Sequence, residues 1–372
     1  MKAEKSGFTA DELKHLYRRH GPMGPEAAEP VFVAKAEGAW LFDAAGRKFL
    51  DFASGGSAPL GHSHPDIIAA LKRAGHRSGT DVTVAPDEIA LMHKLAELAP
   101  GGMNRRVLVC DSGREALARA IELARAATGR SRVVYLSDLS DESDTSDKRR
   151  AVSGDVAAVV AHPLDGRIQQ ARAACDAAGA LLIDDETNIG PGASGRMFAI
   201  ELSGTRPDVY VLGRGWAAGF PFGACVTRSS TLRWERGSSG NPVGCVAALE
   251  VIRLLESGLL EQGRRLAANL DKQFEKLNSK RLTPALWGVG LVRTLVLKAG
   301  TGAATGFVGR CRELGLLLTA LSGDTLAIRP ALVCTEQDVE FAAGVIEQVL
   351  AGFDKRAGVL GTVPMRGQSP KA

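Results

Sequence analysis

The sequence predicts an α/β fold, a mostly parallel sheet sandwiched by helices, with a smaller α+β unit attached. Two observations carry this. Before Val243, short apolar runs alternate with amphipathic stretches of helical period, the pattern of strands covered on both faces by crossover helices. After Val243 the pattern changes to long helices with a few strand-like runs. A chain of 372 residues also has the length of two units at about 150 residues each.

The elements follow in order. Val31 to Leu50 reads as strand, turn, strand, with GAWLFDAAGRKFLDF alternating around Ala44-Ala45-Gly46 as a β-hairpin. Residues 54–64, rich in Gly and Pro, form a loop. Pro65 suits a first helical turn, so a helix runs to Gly75. A second helix covers Asp87 to Leu98. Arg106 to Cys110 is a buried strand, and the Asp111-Ser112-Gly113 turn opens a helix through Ala127. Strands at 132–136, 156–161, 181–184, 209–212 and 224–227 surround a helix at Ile168–Ala178. Helices Gly244–Ser257 and Leu260–Ser279 come next, then strand Leu291–Leu297, helix Gly306–Leu314, strand Thr325–Ile328 and helix Gln337–Phe353. The expected division is 1–60 joining the small unit, 61–242 as the large unit, 243–353 as the small unit, and 354–372 as a disordered tail. The polar run Asp138–Arg150 reads as a solvated loop.

Composition excludes several classes. Hydrophobic residues make up 45% and charged residues 24%, against wholesale disorder. A net charge of +4 without a basic stripe speaks against nucleic-acid binding. No 18-residue apolar run spans a membrane, and the charged N-terminus lacks a signal-peptide core, so a cytoplasmic location is expected. Six cysteines without a CxxC pair make neither a zinc ribbon nor a disulfide framework.

Three stretches could carry chemistry. In CDSGREALARAIELARAATGR a strand stops at a Ser-Gly turn and a helix begins. Free amides and the positive dipole end there make a phosphate cradle, with Arg114 as a charged addition. A Ser-Gly turn is also an ordinary N-cap. In LLIDDETNIGPGASGRM, acids end an apolar strand, the edge where open parallel sheets bind ligands. In RPDVYVLGRGWAAGFPFGA, glycines bracket Arg214 and let the backbone approach a ligand.

Taken in order, these motifs resemble the class III aminotransferases, pyridoxal-phosphate enzymes of fold type I, which include glutamate-1-semialdehyde aminomutase. LDFASGGSAPLGHSHPDIIAAL, SGREALARAIELARAATGR, LLIDDETNIGPGASGRMFA, RPDVYVLGRGWAAGFPFGA, SGNPVGCVAALEVI and AIRPALVCTEQDVE carry the resemblance, from Val31 to Leu350. It implies that Ser112, Gly113 and Arg114 hold the cofactor phosphate. Asp185 would pair with the pyridinium nitrogen, Thr187 would lie behind the ring and Asn188 near the ring hydroxyl. Arg329 would grip a substrate carboxylate.

The sequence also departs from the pattern. The Schiff-base lysine falls at Arg214, whose guanidinium offers no nucleophilic amine. No aromatic-His-Gly segment follows the strand at Val133–Leu136. His162-Pro163 replaces an acid-Pro pair, and Gly237 replaces a threonine that reaches the neighbouring subunit's phosphate. The expectation is therefore a catalytically degenerate aminotransferase-fold protein that binds, scaffolds or partners, with pyridoxal phosphate non-covalent or absent. The alternative is a pyridoxal- or pyridoxamine-phosphate-dependent aminotransferase or aminomutase, or a lysine-independent dehydratase with His162 or His62 as base. Either would form a homodimer, or a heterodimer with an active paralogue, without nucleic-acid or membrane partners.

Overall fold

The computed structural model describes residues 8–22, 30–74, 84–102, 104–138, 152–228, 234, 240–298, 300 and 302–355. The chain opens with α1 (Ala10–His20), followed by β1 (Val33–Glu37), β2 (Trp40–Asp43), β3 (Lys48–Asp51), α2 (Pro65–Ala74) and α3 (Pro86–Leu98). The central run is β4 (Val107–Cys110), α4 (Gly113–Thr128), β5 (Arg132–Tyr135), β6 (Val156–Ala161), α5 (Ile168–Ala178), β7 (Leu181–Glu186), β8 (Val209–Leu212) and β9 (Gly223–Thr227). After it come α6 (Pro242–Leu254), α7 (Leu260–Phe274), β10 (Ala285–Val289), β11 (Val292–Val296), α8 (Ala304–Glu313), β12 (Leu316–Leu317), β13 (Thr319–Ser322), β14 (Thr325–Ile328) and α9 (Glu336–Lys355).

The large sheet has the order β4-β9-β8-β7-β6-β5. Strands β5 to β8 pair in parallel, and β9 runs antiparallel to both β8 and β4. Its apolar strands are buried because both faces are covered. On one face, Ala116, Ala120 and Leu123 of α4 pack against Val160, Ile183 and Val211. On the other, Leu91 and Leu95 of α3, Ile168 and Cys175 of α5, and Ala247 and Ile252 of α6 pack against Leu182, Tyr210 and Val226. The small alanines let α4 lie close to the strands. The expected α/β architecture of fold type I, mostly parallel and helix-covered, holds.

Two further sheets flank this one. In β1-β2-β3-β12 the N-terminal hairpin recruits Leu316 and Leu317, which pair in parallel with Leu50 and Asp51. The antiparallel sheet β10-β11-β14-β13 lies against the cluster holding Leu270, Phe307 and Ile346. Among the described residues, no helix is long and apolar enough to cross a membrane.

Several expectations need correction. The charged N-terminus contains a helix, α1, set by a Thr9–Glu12 capping box in which Thr9 N donates to Glu12 Oε2 at 2.6 Å. Strand β10 was not expected, because Gly288 interrupts its apolar alternation; it pairs along its length with β11. The helix expected to reach Ser279 ends at Phe274. Past that end, Asp354 takes over: its carboxylate accepts from Ser279 Oγ at 2.8 Å and Arg281 N at 3.0 Å. Asp354 itself belongs to α9, not to a tail. Residues 356–372, the loop residues 139–150 and Gly237 lie outside the described residues.

One buried carboxylate fixes the start of the two central strands. Asp208, 2% exposed, accepts from Leu182 N at 2.9 Å and Arg172 Nη1 at 2.6 Å, and pairs with Arg228 Nη2 at 2.7 Å. Asp208 N returns a bond to Leu182 O at 2.8 Å. Replacing Asp208 by alanine strands Arg172, only 15% exposed, without its buried partner. Asp208→Ala is expected to cost about 3 kcal/mol, read as a lower urea midpoint at unchanged slope.

Candidate active site

The carboxyl edge of the large sheet gathers the segments that follow β4, β6, β7 and β8. These strands share one direction, so residues 111–114, 162–163, 187–188 and 213–214 emerge on the same side. They emerge close together. A Cβ on Gly113 would lie 2.8 Å from Thr187 Cγ2 and 3.2 Å from Gly213 Cα. One on Gly213 would lie 2.4 Å from Thr187 O, and one on Gly223 would lie 2.1 Å from Ser112 O. The wall of the cleft is therefore closely packed: a side chain at Gly213 or Gly223 would collide with main chain, and one at Gly113 with the Thr187 side chain.

Helix α4 points its start into this wall. Ser112 is its N-cap, with Oγ accepting from Glu115 N at 3.2 Å, while Glu115 Oε2 accepts from Asp111 N at 3.0 Å. The amides of Gly113 and Arg114 have no hydrogen-bond partner among the described residues. Two free amides at the positive end of a 16-residue helix suit an anion. Arg114 is exposed and unpaired among the described residues.

Strand β7 supplies acids to both faces of the sheet, since successive side chains alternate. Asp185 lies on the α4 side and is half-buried; its Oδ1 accepts from Thr187 N at 3.0 Å. Asp184 and Glu186 point the other way, into the core beside Trp216, and both are 0% exposed. Among the described residues, no backbone or neutral side-chain donor reaches Asp184, whose carboxyl lies against that of Glu186, and Glu186 Oε1 accepts from Ile200 N at 3.0 Å. Burial, with Glu186 next, pushes Asp184 well above the usual carboxylate range. Burial pushes Glu186 up to about 7 despite the bond from Ile200.

His162 follows β6 and Arg329 follows β14, and both reach the cleft of Asp185. His162 is exposed at its surface yet surrounded on its flanks. That desolvation lowers its pKa; Asp185 pulls it up and Arg329 pushes it down. Its Nδ1 accepts from Leu164 N at 3.3 Å, which leaves the proton on Nε2. Arg329 is half-buried, has no ion pair among the described residues, and burial lowers its pKa. A desolvated guanidinium without a counter-ion calls for an anionic ligand.

Arg214 opens a short 3-10 turn, Arg214–Ala217, directly after β8. Trp216 anchors the turn in the core, 4.7 Å from the Phe198 ring, while Arg214 stays exposed and unpaired among the described residues. Asn188 is also exposed, and its carbonyl packs against Gly56, where a Cβ would sit 2.7 Å away.

The fold thus brings together Ser112, Gly113, Thr187, Asp185, Arg329 and the Arg214 turn. His62 lies apart from this edge, with Nε2 bonded to Asp51 Oδ2 at 2.8 Å. Sequence reasoning did not assign the loop 51–56, which packs against Asn188 and Arg329. Its one signal was an acid in LDF beside a histidine in GHSHP. As a donor set, the edge suits a ligand with a phosphate-like anion, a flat cationic ring and a carboxylate.

The buried acid pair gives a pH prediction. Glu186 has its folded value near 7, above its unfolded value of 4.5. Its contribution to stability is complete below the unfolded value and is lost as pH rises through the folded one. Asp184→Asn removes a charge from this pair. It is expected to match wild type near pH ~4 and to exceed it by several degrees in melting temperature near pH ~8. Melting curves at both pH values check this.

Comparison with known proteins agrees with this geometry. The sequence model of the family described as Aminotransferase class-III matches residues 23–138 and 151–350. The acetylornithine aminotransferase of Methanosarcina mazei is 30% identical, over 86% of this chain and 92% of that protein. The 5-aminovalerate aminotransferase of Pseudomonas putida is 28% identical, over 89% of this chain and 96% of that protein. The crystal structure of N-acetylornithine aminotransferase from Stenotrophomonas maltophilia superposes with a TM-score of 0.77 at 26% identity, covering 92% of this chain and 99% of that one. The chain belongs to the class III aminotransferase family.

Proposed function

We propose that the protein holds pyridoxal phosphate or its pyridoxamine form without a covalent link, and that it works on a small amino compound carrying a carboxylate. One observation carries this reading. The start of α4, Asp185 and Arg329 converge on one cleft, while no lysine occurs between Lys148 and Lys272.

The residues present fit the group. When bound, it supplies an electron sink for the bonds at the amino-bearing carbon. Gly113 and Arg114 donate backbone N–H groups to the phosphate, beside the Ser112 cap. The Asp185 carboxylate would favour a proton on the ring nitrogen. Thr187 and the bare backbone of Gly213 give the ring a flat surface, and Asn188 stands beside it. Arg329 pairs with the carboxylate of the amino compound in a charge-assisted contact.

Arg214 stands where the resemblance aligns the Schiff-base lysine. A guanidinium has no nucleophilic nitrogen, so Arg214 neither tethers the cofactor nor accepts a proton. Its donors are left for anionic groups at the mouth. His162 is a poor base in this geometry, because its lone-pair nitrogen already accepts from Leu164; its Nε2–H serves as a donor. His62 is committed to Asp51.

The relatives, aminotransferases by description, support an enzyme over an inert subunit. Acetylornithine and 5-aminovalerate both combine a terminal amine with a carboxylate, which supports an ω-amino acid as the substrate class. A second reading, a cofactor-binding partner subunit without turnover, is favoured by Arg214. In either case the assembly proposed is a homodimer or a heterodimer with an active paralogue.

Titration with pyridoxamine phosphate is expected to saturate, and dialysis to reverse it. Asp185→Asn should weaken that binding about tenfold, the loss of one charge-assisted contact. Borohydride treatment with pyridoxal phosphate is expected to leave no pyridoxyl group on a lysine lining the cleft. A pyridoxyl-lysine peptide from the cleft overturns the non-covalent reading. Conversion of the bound pyridoxamine form by a panel of 2-oxo acids supports the enzyme, and binding without conversion supports the partner subunit. No binding of either form overturns both.

A further inference from the structure

Arg329 has no secondary structure of its own beyond the end of β14, yet its backbone is held on both sides. Arg329 N donates to Phe52 O at 2.7 Å, and Gly55 N donates to Arg329 O at 2.9 Å. The contact is close enough that a Cβ on Gly55 would lie 2.4 Å from Arg329 O and 2.3 Å from Pro330 O. The loop from Phe52 to Gly55 is therefore the cradle of Arg329, and the cradle's shape decides where the guanidinium sits.

That shape is imposed by one carboxylate. Asp51, 3% exposed, accepts on Oδ1 from Ala53 N at 2.8 Å and from Ser54 N at 3.1 Å. Its Oδ2 pairs with His62 Nε2 at 2.8 Å. His62 is fixed in turn by its backbone: Gly38 N donates to His62 O at 2.9 Å, and His62 N donates to Gly38 O at 2.7 Å. Asp51 N also donates to Ala39 O at 2.8 Å. The chain of contacts runs from the β1–β2 connection through His62 and Asp51 to the loop and then to Arg329. A buried carboxylate is retained at such a cost only when all its bonds are made. Here they are spent on a loop that touches the cleft.

We propose that the Asp51–His62 pair is a positioning device for Arg329, setting the depth at which this chain takes the carboxylate of its substrate. The proposal rests on the reading of Arg329 as the carboxylate-binding residue. Neither Asp51 nor His62 touches the ligand; both act through the loop 52–55. The pair thus governs carboxylate recognition while leaving the phosphate end of the cleft, built on α4, undisturbed.

The test compares binding of 5-aminovalerate with that of pentylamine, which has the same amine but a methyl group in place of the carboxylate. Calorimetry on the full chain saturated with pyridoxamine phosphate gives the ratio of the two affinities. Wild type is expected to prefer 5-aminovalerate, and Arg329→Gln to lose that preference. His62→Ala is expected to lower the preference about tenfold, since a misplaced guanidinium forfeits most of a charge-assisted contact. His62→Gln, which can still donate to Asp51, should restore the preference to within about threefold of wild type. Affinity for pyridoxamine phosphate alone should stay within about twofold in both variants, because α4 is untouched. Amide exchange at Gly55 and Arg329 should quicken in His62→Ala and not in His62→Gln. A full preference in His62→Ala, with Arg329→Gln having lost it, overturns the positioning role and leaves the reading of Arg329 standing. A full preference in Arg329→Gln overturns that reading, and the positioning role with it. If His62→Ala does not fold, Asp51→Asn replaces it. This variant keeps an oxygen for Ala53 and Ser54 but loses the charge, and an unchanged preference there overturns the proposal.

Discussion

The structure depends on the approach of three backbone segments at the carboxyl edge of the large sheet. Ser112-Gly113, Thr187 and Gly213 meet at distances that exclude a Cβ at either glycine. This contact fixes the spacing of β4, β7 and β8 at their ends, and so fixes where the start of α4 lies relative to Asp185. A helix start and a carboxylate can act on one ligand only at a set separation. Between Gly213 and Thr187 the contact is backbone to backbone, which has no rotamers to adjust.

The charge around the cleft follows from what surrounds that wall. Arg114 and Arg214 are exposed at this edge and Arg329 is half-buried near Asp185 and His162, while Asp111 and Glu115 flank the start of α4. Burial is least favourable for Arg329, which has no ion pair among the described residues. Residues 149–271 contain no lysine, and a guanidinium carries the positive charge of an ammonium without its nucleophilicity.

A second constraint acts from the other side of the cleft. The loop 51–62 carries few side chains into the core, yet it ties the N-terminal hairpin to the segment 329–332: Asp51 bonds its own loop, and Leu332 N donates to Pro59 O at 2.7 Å. The hairpin extends this tie by pairing β3 with β12. Segments about 270 positions apart in sequence are therefore bonded together beside Arg329, and Gly56 of the same loop packs against Asn188, after β7.

Local pattern determined much of this. The apolar runs at Val156–Ala161 and Val209–Leu212 are strands because both faces are buried. Pro65 marks a helix start, and the Ser112-Gly113 turn caps α4 by chemistry contained within four residues. Asp185 was also legible, as an acid at the end of a buried strand. Other features required the folded chain. α1 was hidden because its charges mask a capping box, and β10 because Gly288 breaks its alternation, so that pairing with β11 rather than propensity makes it a strand. The opposite orientation of Asp184 and Asp185 follows from which face of β7 meets α4, a fact of packing. The bond from His62 to Asp51, and through the loop to Arg329, joins three distant segments. No spacing in the sequence encodes that geometry, because it arises only when the hairpin, the loop and β14 are brought side by side.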